Sequence, residues 1–125
     1  MIFSIGTDIV NVRRIEQSVG RHGERFVNRI LNPTEVVQWN QRKRDLSFLA
    51  KRFAAKEAIL KALGTGIGRG VSFQNIVISN DSKGVPLVSV SKGALKALEA
   101  TGASRVLLSI SDEKEYAIAF AALAE

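Results

Sequence analysis

A chain of 125 residues, 46% apolar and 24% charged, has room for one domain with a real core, is short for two, and is too apolar to stay disordered. It contains no cysteine, which excludes disulfides, thiolate metal sites and a cysteine nucleophile, and suits a reducing compartment. The formal charge of +6 is one-sided: Asn11 to Lys56 carries eleven Lys/Arg against four Asp/Glu, while Glu57 to Glu125 carries seven of each. A polyanion should therefore approach the first half, and nucleic acid, anionic lipid, a phosphorylated small molecule or an acidic protein all qualify.

Ile2 to Val10 is short and β-branched, a first strand. With Gly6 and Asp8 inside the run and no basic leader it does not read as a signal peptide. No apolar stretch approaches the roughly 20 residues of a membrane span, so a cytoplasmic location is expected. Asn11 is placed to cap a helix from Val12, with Gly20 and Gly23 interrupting the pattern before it resumes towards Ile30. Asn32-Pro33 starts another helix through about Gln41. Asp45 caps the most distinctive element, a helix from about Leu46 to Leu63 ended by Gly64. Its stripe of Leu46, Leu49, Phe53, Leu60 and Leu63 is joined by six further apolar or small residues, Ala50, Ala54, Ala55, Ala58, Ile59 and Ala62. A helix apolar nearly all round belongs inside its protein.

After Gly64-Thr65-Gly66-Ile67-Gly68 the pattern turns to strands. Ser72–Ser79 and Val85–Val90 flank a hairpin-type turn at Asn80 to Gly84. Ser91–Thr101 reads as a helix, and Arg105–Ser111 and Glu115–Leu123 as two strands. In the last, Ala117, Ala119 and Ala121 share one face, which suits close packing on the central helix. The expected architecture is a single α+β domain over 1–125, an antiparallel sheet wrapped on a long buried central helix, with additional helices.

Three groups could carry chemistry. Asp8 sits among Ile5, Ile9 and Val10, where a carboxylate needs a partner; the competing role is a helix cap. Glu57 falls at the edge of the apolar stripe with Lys61 one turn on, either an ordinary i, i+4 pair or a buried site. The glycine segment either terminates the helix or offers backbone N–H groups to phosphate. His22 reads as solvated surface, and Trp39 as a core or interface anchor. The arginines at 13, 14, 21 and 25 form a basic region with few aromatics to stack bases.

In order along nearly the whole chain, these segments resemble the holo-[acyl-carrier-protein] synthases of the phosphopantetheinyl transferase superfamily. Ile5-Gly6-Thr7-Asp8-Ile9-Val10 is similar to the family's N-terminal motif. Phe48 to Ala58, followed by Lys61-Ala62-Leu63-Gly64-Thr65-Gly66, is similar to its signature helix and loop, and Asp81 with Gly84, Val85 and Pro86 to its sheet turn. The resemblance implies attack by a serine hydroxyl of an apo acyl carrier protein on the β-phosphate of coenzyme A, with adenosine 3′,5′-bisphosphate released, as in fatty acid biosynthesis. It implies Mg²⁺ held by Asp8 and Glu57, a catalytic role for Glu57 and Lys61, and coenzyme A contacts from Arg52, Lys56, Lys61, Gly64, Thr65 and Gly66. It further implies carrier-protein docking on Arg13, Arg14, Arg21 and Arg25, and a homotrimer with sites between subunits. Many members carry a histidine after the Ser-Ile-Ser strand end; here Asp112 follows Ser109-Ile110-Ser111, which argues against an essential base at that position. Broader-specificity transferases of the superfamily are about twice this length, with two pseudo-repeats that this chain lacks. The rival from another class is a non-catalytic basic module for an acidic protein or nucleic acid, which would need neither Asp8 nor Glu57.

Overall fold

The computed structural model describes residues 1–125. Its elements run β1 (Ile2–Asn11), α1 (Val12–His22), α2 (Glu24–Ile30), α3 (Pro33–Gln41), α4 (Leu46–Leu63), β2 (Ile76–Asn80), β3 (Pro86–Val90), α5 (Lys92–Ala100), β4 (Arg105–Asp112) and β5 (Tyr116–Ala124). The helix starts follow local chemistry. Asn11 accepts from the Arg13 N–H, Asn32 and Glu35 close a capping box around Pro33, and Asp45 accepts from the Ser47 N–H. Gly64 ends α4 in the left-handed region at φ 75°, where a side chain would be strained.

Strands β1, β5 and β4 form one antiparallel sheet in that order, and α4 lies across β1 and β5. Alternation decides the faces. Gly6, Asp8 and Val10 of β1 point to α4, as do Ala117, Ala119 and Ala121 of β5, all three fully buried. The opposite face carries Ile5, Ile9, Leu107, Ile118 and Phe120, all left exposed. Cross-strand rows Ile9–Ile118–Ser111 and Thr7–Phe120–Ser109 make this face continuous.

Two expectations needed correction. Strands β2 and β3 form a separate two-stranded sheet, and before β2 Phe73–Asn75 curls into a 3₁₀ turn in which Ser72 and Asn75 cap one another and Phe73 is buried. That removes the first half of the strand expected from Ser72. In the first half of the chain, α1 runs through Gly20 and breaks only at Gly23, φ 56°, so Arg25 belongs to a different helix from Arg14 and Arg21.

Candidate active site

Two elements meet at the site because one residue is missing a side chain. At Gly6 a Cβ would stand 2.1 Å from the Ala58 carbonyl oxygen and 2.7 Å from the Ala62 nitrogen. Strand β1 therefore touches the α4 backbone there, and the next inward residue, Asp8, is delivered beside the helix. Lys61 Nζ donates to Asp8 Oδ1 at 3.1 Å and to the Thr7 carbonyl at 2.9 Å. Glu57 lies one turn earlier on α4, half-buried. Burial pushes its carboxyl above the usual range, and the nearby charge of Asp8 pushes it further; Lys61 and Arg29 pull it back. Asp8, Glu57 and Lys61 are thus brought together as expected. The pairing differs, however: Lys61 bonds Asp8 rather than Glu57, and its side chain is 56% exposed. It is no buried ammonium.

Two carboxylates whose repulsion is written into Glu57 form the donor set a hard divalent cation relieves. Mg²⁺ takes oxygen ligands, commonly one or two carboxylates with waters and substrate phosphate. No third Asp, Glu, His or Cys joins the pair, so water or phosphate oxygens would fill the remaining positions. The residues present fit the ion.

Arg29 of α2 was missed in the sequence, although it stands four residues beyond Arg25. Its guanidinium lies 5.9 Å from the centre of the Phe73 ring, in a line of tilted aromatics, Phe26–Phe53 at 6.2 Å and Phe53–Phe73 at 5.9 Å. With His22, Arg25 and Phe26 it lines a shallow cavity of about 270 Å³. Arg13, Arg14, Arg21 and Arg25, the arginines expected to dock the carrier protein, are all exposed.

The residues expected to hold coenzyme A separate into distinct places. Gly64, Thr65 and Gly66 line a cavity of about 470 Å³ with Arg69 and Lys96, under α5. Its floor is set where Gly93 meets Gly70, since a Cβ on Gly93 would stand 2.0 Å from the Gly70 carbonyl oxygen. Arg52 instead lines a cavity of about 500 Å³ with Arg42, Lys51, Asn80 and Asp112. Ser47 Oγ lies 3.4 Å from Asp112 Oδ2, joining the start of α4 to the end of β4. The two cavities lie roughly 18 Å apart along α4, at 1.5 Å per residue. Lys56 reaches neither. It is fully buried, and its ammonium donates to Glu35 Oε1 and the Ile30 carbonyl, both at 2.6 Å, and to the Phe73 carbonyl at 3.2 Å. All three hydrogens are used, so the assignment of Lys56 as a direct coenzyme A ligand does not stand.

The model of the 4′-phosphopantetheinyl transferase superfamily matches residues 4–121. The holo-[acyl-carrier-protein] synthase of Shewanella frigidimarina is 52% identical over 118 residues, 94% of each chain. The crystal structure of holo-[acyl-carrier-protein] synthase from Neisseria meningitidis covers 100% of both chains with a TM-score of 0.91 at 47% identity. The Helicobacter pylori enzyme in complex with coenzyme A gives 0.83 at 38% identity, covering 96% of this chain and 99% of that one. Coverage of this extent, on a fold that brings Asp8, Glu57 and Lys61 together, shows that the chain belongs to the 4′-phosphopantetheinyl transferase superfamily, in the family of the holo-[acyl-carrier-protein] synthases.

Proposed function

We propose that residues 1–125 act as one transferase domain that moves the 4′-phosphopantetheine arm of coenzyme A onto a serine hydroxyl of an apo acyl carrier protein, supported by Mg²⁺ at Asp8 and Glu57. The observation that carries this reading is the convergence of Asp8, Glu57 and Lys61 where β1 touches α4. Asp8 and Glu57 would hold the ion, which when bound would offset the charge of the pyrophosphate and its leaving group. Lys61 holds its ammonium at the same spot and is free to swing from Asp8 to a phosphate oxygen as negative charge builds. Glu57, or a water held by it or by Asp8, is the best candidate to take the serine proton. The arginines of α1 and α2 offer an acidic carrier protein a complementary surface.

The same reading includes a homotrimer with sites between subunits. Arg52 and Glu57 are five residues apart on α4, about 140° around its axis at 100° per residue. Because α4 is buried, one ligand cannot wrap it to reach both within a single chain. The exposed apolar face of Ile5, Ile9, Leu107, Ile118 and Phe120 is of the kind that subunit interfaces cover. In this reading the site would combine the acidic residues of one subunit with the Arg52 cavity of its neighbour. No helix is long and apolar enough to cross a membrane, and a cytoplasmic location belongs to the same proposal.

The test is a single assay: chain, coenzyme A, Mg²⁺ and apo acyl carrier protein, read by intact mass. The carrier protein should gain the mass of one phosphopantetheine. No gain, where an authentic synthase modifies the same carrier, would leave the non-catalytic binding module as the surviving reading.

A further inference from the structure

Beneath the Arg52 cavity lies a buried cluster of one carboxylate and two cations. Glu35 and Lys56 have no exposed surface, and Arg52 is 4% exposed. The Glu35 carboxylate is already well supplied with donors. Oε1 accepts from Lys56 Nζ at 2.6 Å and the Asn32 N–H at 2.9 Å, and Oε2 accepts from the Ile78 N–H at 3.0 Å. Arg52 Nε comes only within 3.9 Å of Oε2, too far for a hydrogen bond, and is buried without a partner. Nη2 leans on two neutral acceptors, Asn80 Oδ1 at 3.2 Å and Gln38 Oε1 at 3.4 Å. The Arg52 and Arg42 guanidiniums both lie over the Phe48 ring, 4.7 and 5.1 Å from its centre.

Arg52 therefore carries a charge that Glu35 meets only at ion-pair distance, without a hydrogen bond, beside the like charge of Arg42. A buried cation so loosely paired is costly, and the cavity of about 500 Å³ is where an anion can complete its pairing. What keeps Arg52 available is competition. A guanidinium next to a free carboxylate closes a strong, often bidentate pair. Here Lys56 already holds Oε1 and the Ile78 N–H holds Oε2, and the guanidinium stays at 3.9 Å.

We propose that Lys56 is a positioning residue: by occupying Glu35 it keeps the loose Arg52–Glu35 ion pair from closing into a hydrogen-bonded one and leaves the Arg52 guanidinium for a phosphate of the nucleotide in the cavity. This rests on the reading of Arg52 as a coenzyme A ligand given above. Lys56 itself touches no substrate.

Calorimetric titration of the full chain with adenosine 3′,5′-bisphosphate, with adenosine as the uncharged control, tests the idea. Lys56→Met keeps the unbranched apolar stem and frees Glu35, so bisphosphate affinity should fall about tenfold, or 1.4 kcal/mol, with adenosine unaffected. The KM for coenzyme A should rise in parallel while kcat stays within about twofold. Adding Glu35→Gln to Lys56→Met removes the competing carboxylate, and affinity should return to within about threefold of the unsubstituted chain. Loss of packing alone would not be rescued by a second buried polar loss. Unchanged affinity in Lys56→Met, or a double variant as weak as the single one, overturns the proposal. Where Lys56→Met does not fold, the ¹⁵N signal of Arg52 Nε in the unsubstituted chain decides. It should shift with bisphosphate and not with adenosine, and an unmoved signal overturns the proposal. A chain that transfers no phosphopantetheine sinks the functional reading, whereas an active chain whose Lys56→Met variant binds normally sinks only the role of Lys56.

Discussion

Gly6 and Ala58 are in backbone contact: a single Cβ on Gly6 would be 2.1 Å from the Ala58 carbonyl oxygen. That contact sets how far Asp8 stands from Glu57, so it links packing to the proposed metal site. Gly6→Ala must push β1 off α4. Overpacking of this kind costs about 1–3 kcal/mol. A lowered Tm in thermal melts and a loss of transfer that added Mg²⁺ does not restore are expected. An active, fully stable Gly6→Ala chain would show that the strand can shift without moving Asp8.

Asp8→Asn and Glu57→Gln should each reduce transfer by two or more orders of magnitude, a size consistent with losing part of a charge-stabilising centre. They should part company in stability. The folded-state carboxyl of Glu57 is raised above its ordinary value, so in metal-free protein the folded state binds the proton more tightly than the unfolded one. Its contribution to stability therefore falls as pH rises from the ordinary glutamate range through the raised value, and above that the penalty is complete. Exposure softens the effect through solvent screening. Glu57→Gln is expected to melt no lower than the unsubstituted chain at neutral pH without metal, and to show no rise in Tm with Mg²⁺ where the unsubstituted chain should. A Glu57→Gln chain that Mg²⁺ still stabilises would remove Glu57 from the ligand set.

Phe120→Glu tests the sheet's outer face. Phe120 is 46% exposed in the single chain, so the charge costs the isolated fold little. In a trimer it would bury an unpaired carboxylate. Sedimentation should show the unsubstituted chain as a trimer and the variant as a folded monomer with little transfer activity. A trimeric, active Phe120→Glu chain would place the interface elsewhere.

Much of this architecture could be read locally. Asn32, Pro33 and Glu35 spell a capping box within four residues, and Gly64 marks its own turn, because caps are settled by near neighbours. The alanine face of β5 was legible for the same reason, since alternation needs no knowledge of the partner. Buried charge was not. The sequence pointed to Glu57 and Lys61 as the pair inside α4, yet the buried ammonium is Lys56, one residue from Glu57 and about 100° around the helix. On a helix apolar nearly all round, periodicity has too little contrast to say which polar side chain faces inward. The partner that decides it, Glu35, arrives from α3, 21 residues away. Nothing in the sequence singled out Glu35, and its bond to the Ile78 N–H depends on where β2 lies.

Docking should be electrostatic and separable from chemistry. Arg14 and Arg21 are exposed and seven residues apart on α1, so they share a face, while Arg25 lies beyond the break at Gly23. Arg14→Glu and Arg21→Glu should raise the KM for the carrier protein about tenfold or more each, through weaker steering, and leave the KM for coenzyme A unchanged. The unsubstituted chain should lose carrier affinity with added salt, and the variants should be less sensitive. Arg29→Gln is expected to behave differently, because its charge also acts on Glu57: it should lower kcat as well as carrier affinity. Steady-state kinetics with each substrate varied in turn distinguishes the two patterns. Equal effects of Arg14→Glu on both substrates would move the docking face off α1.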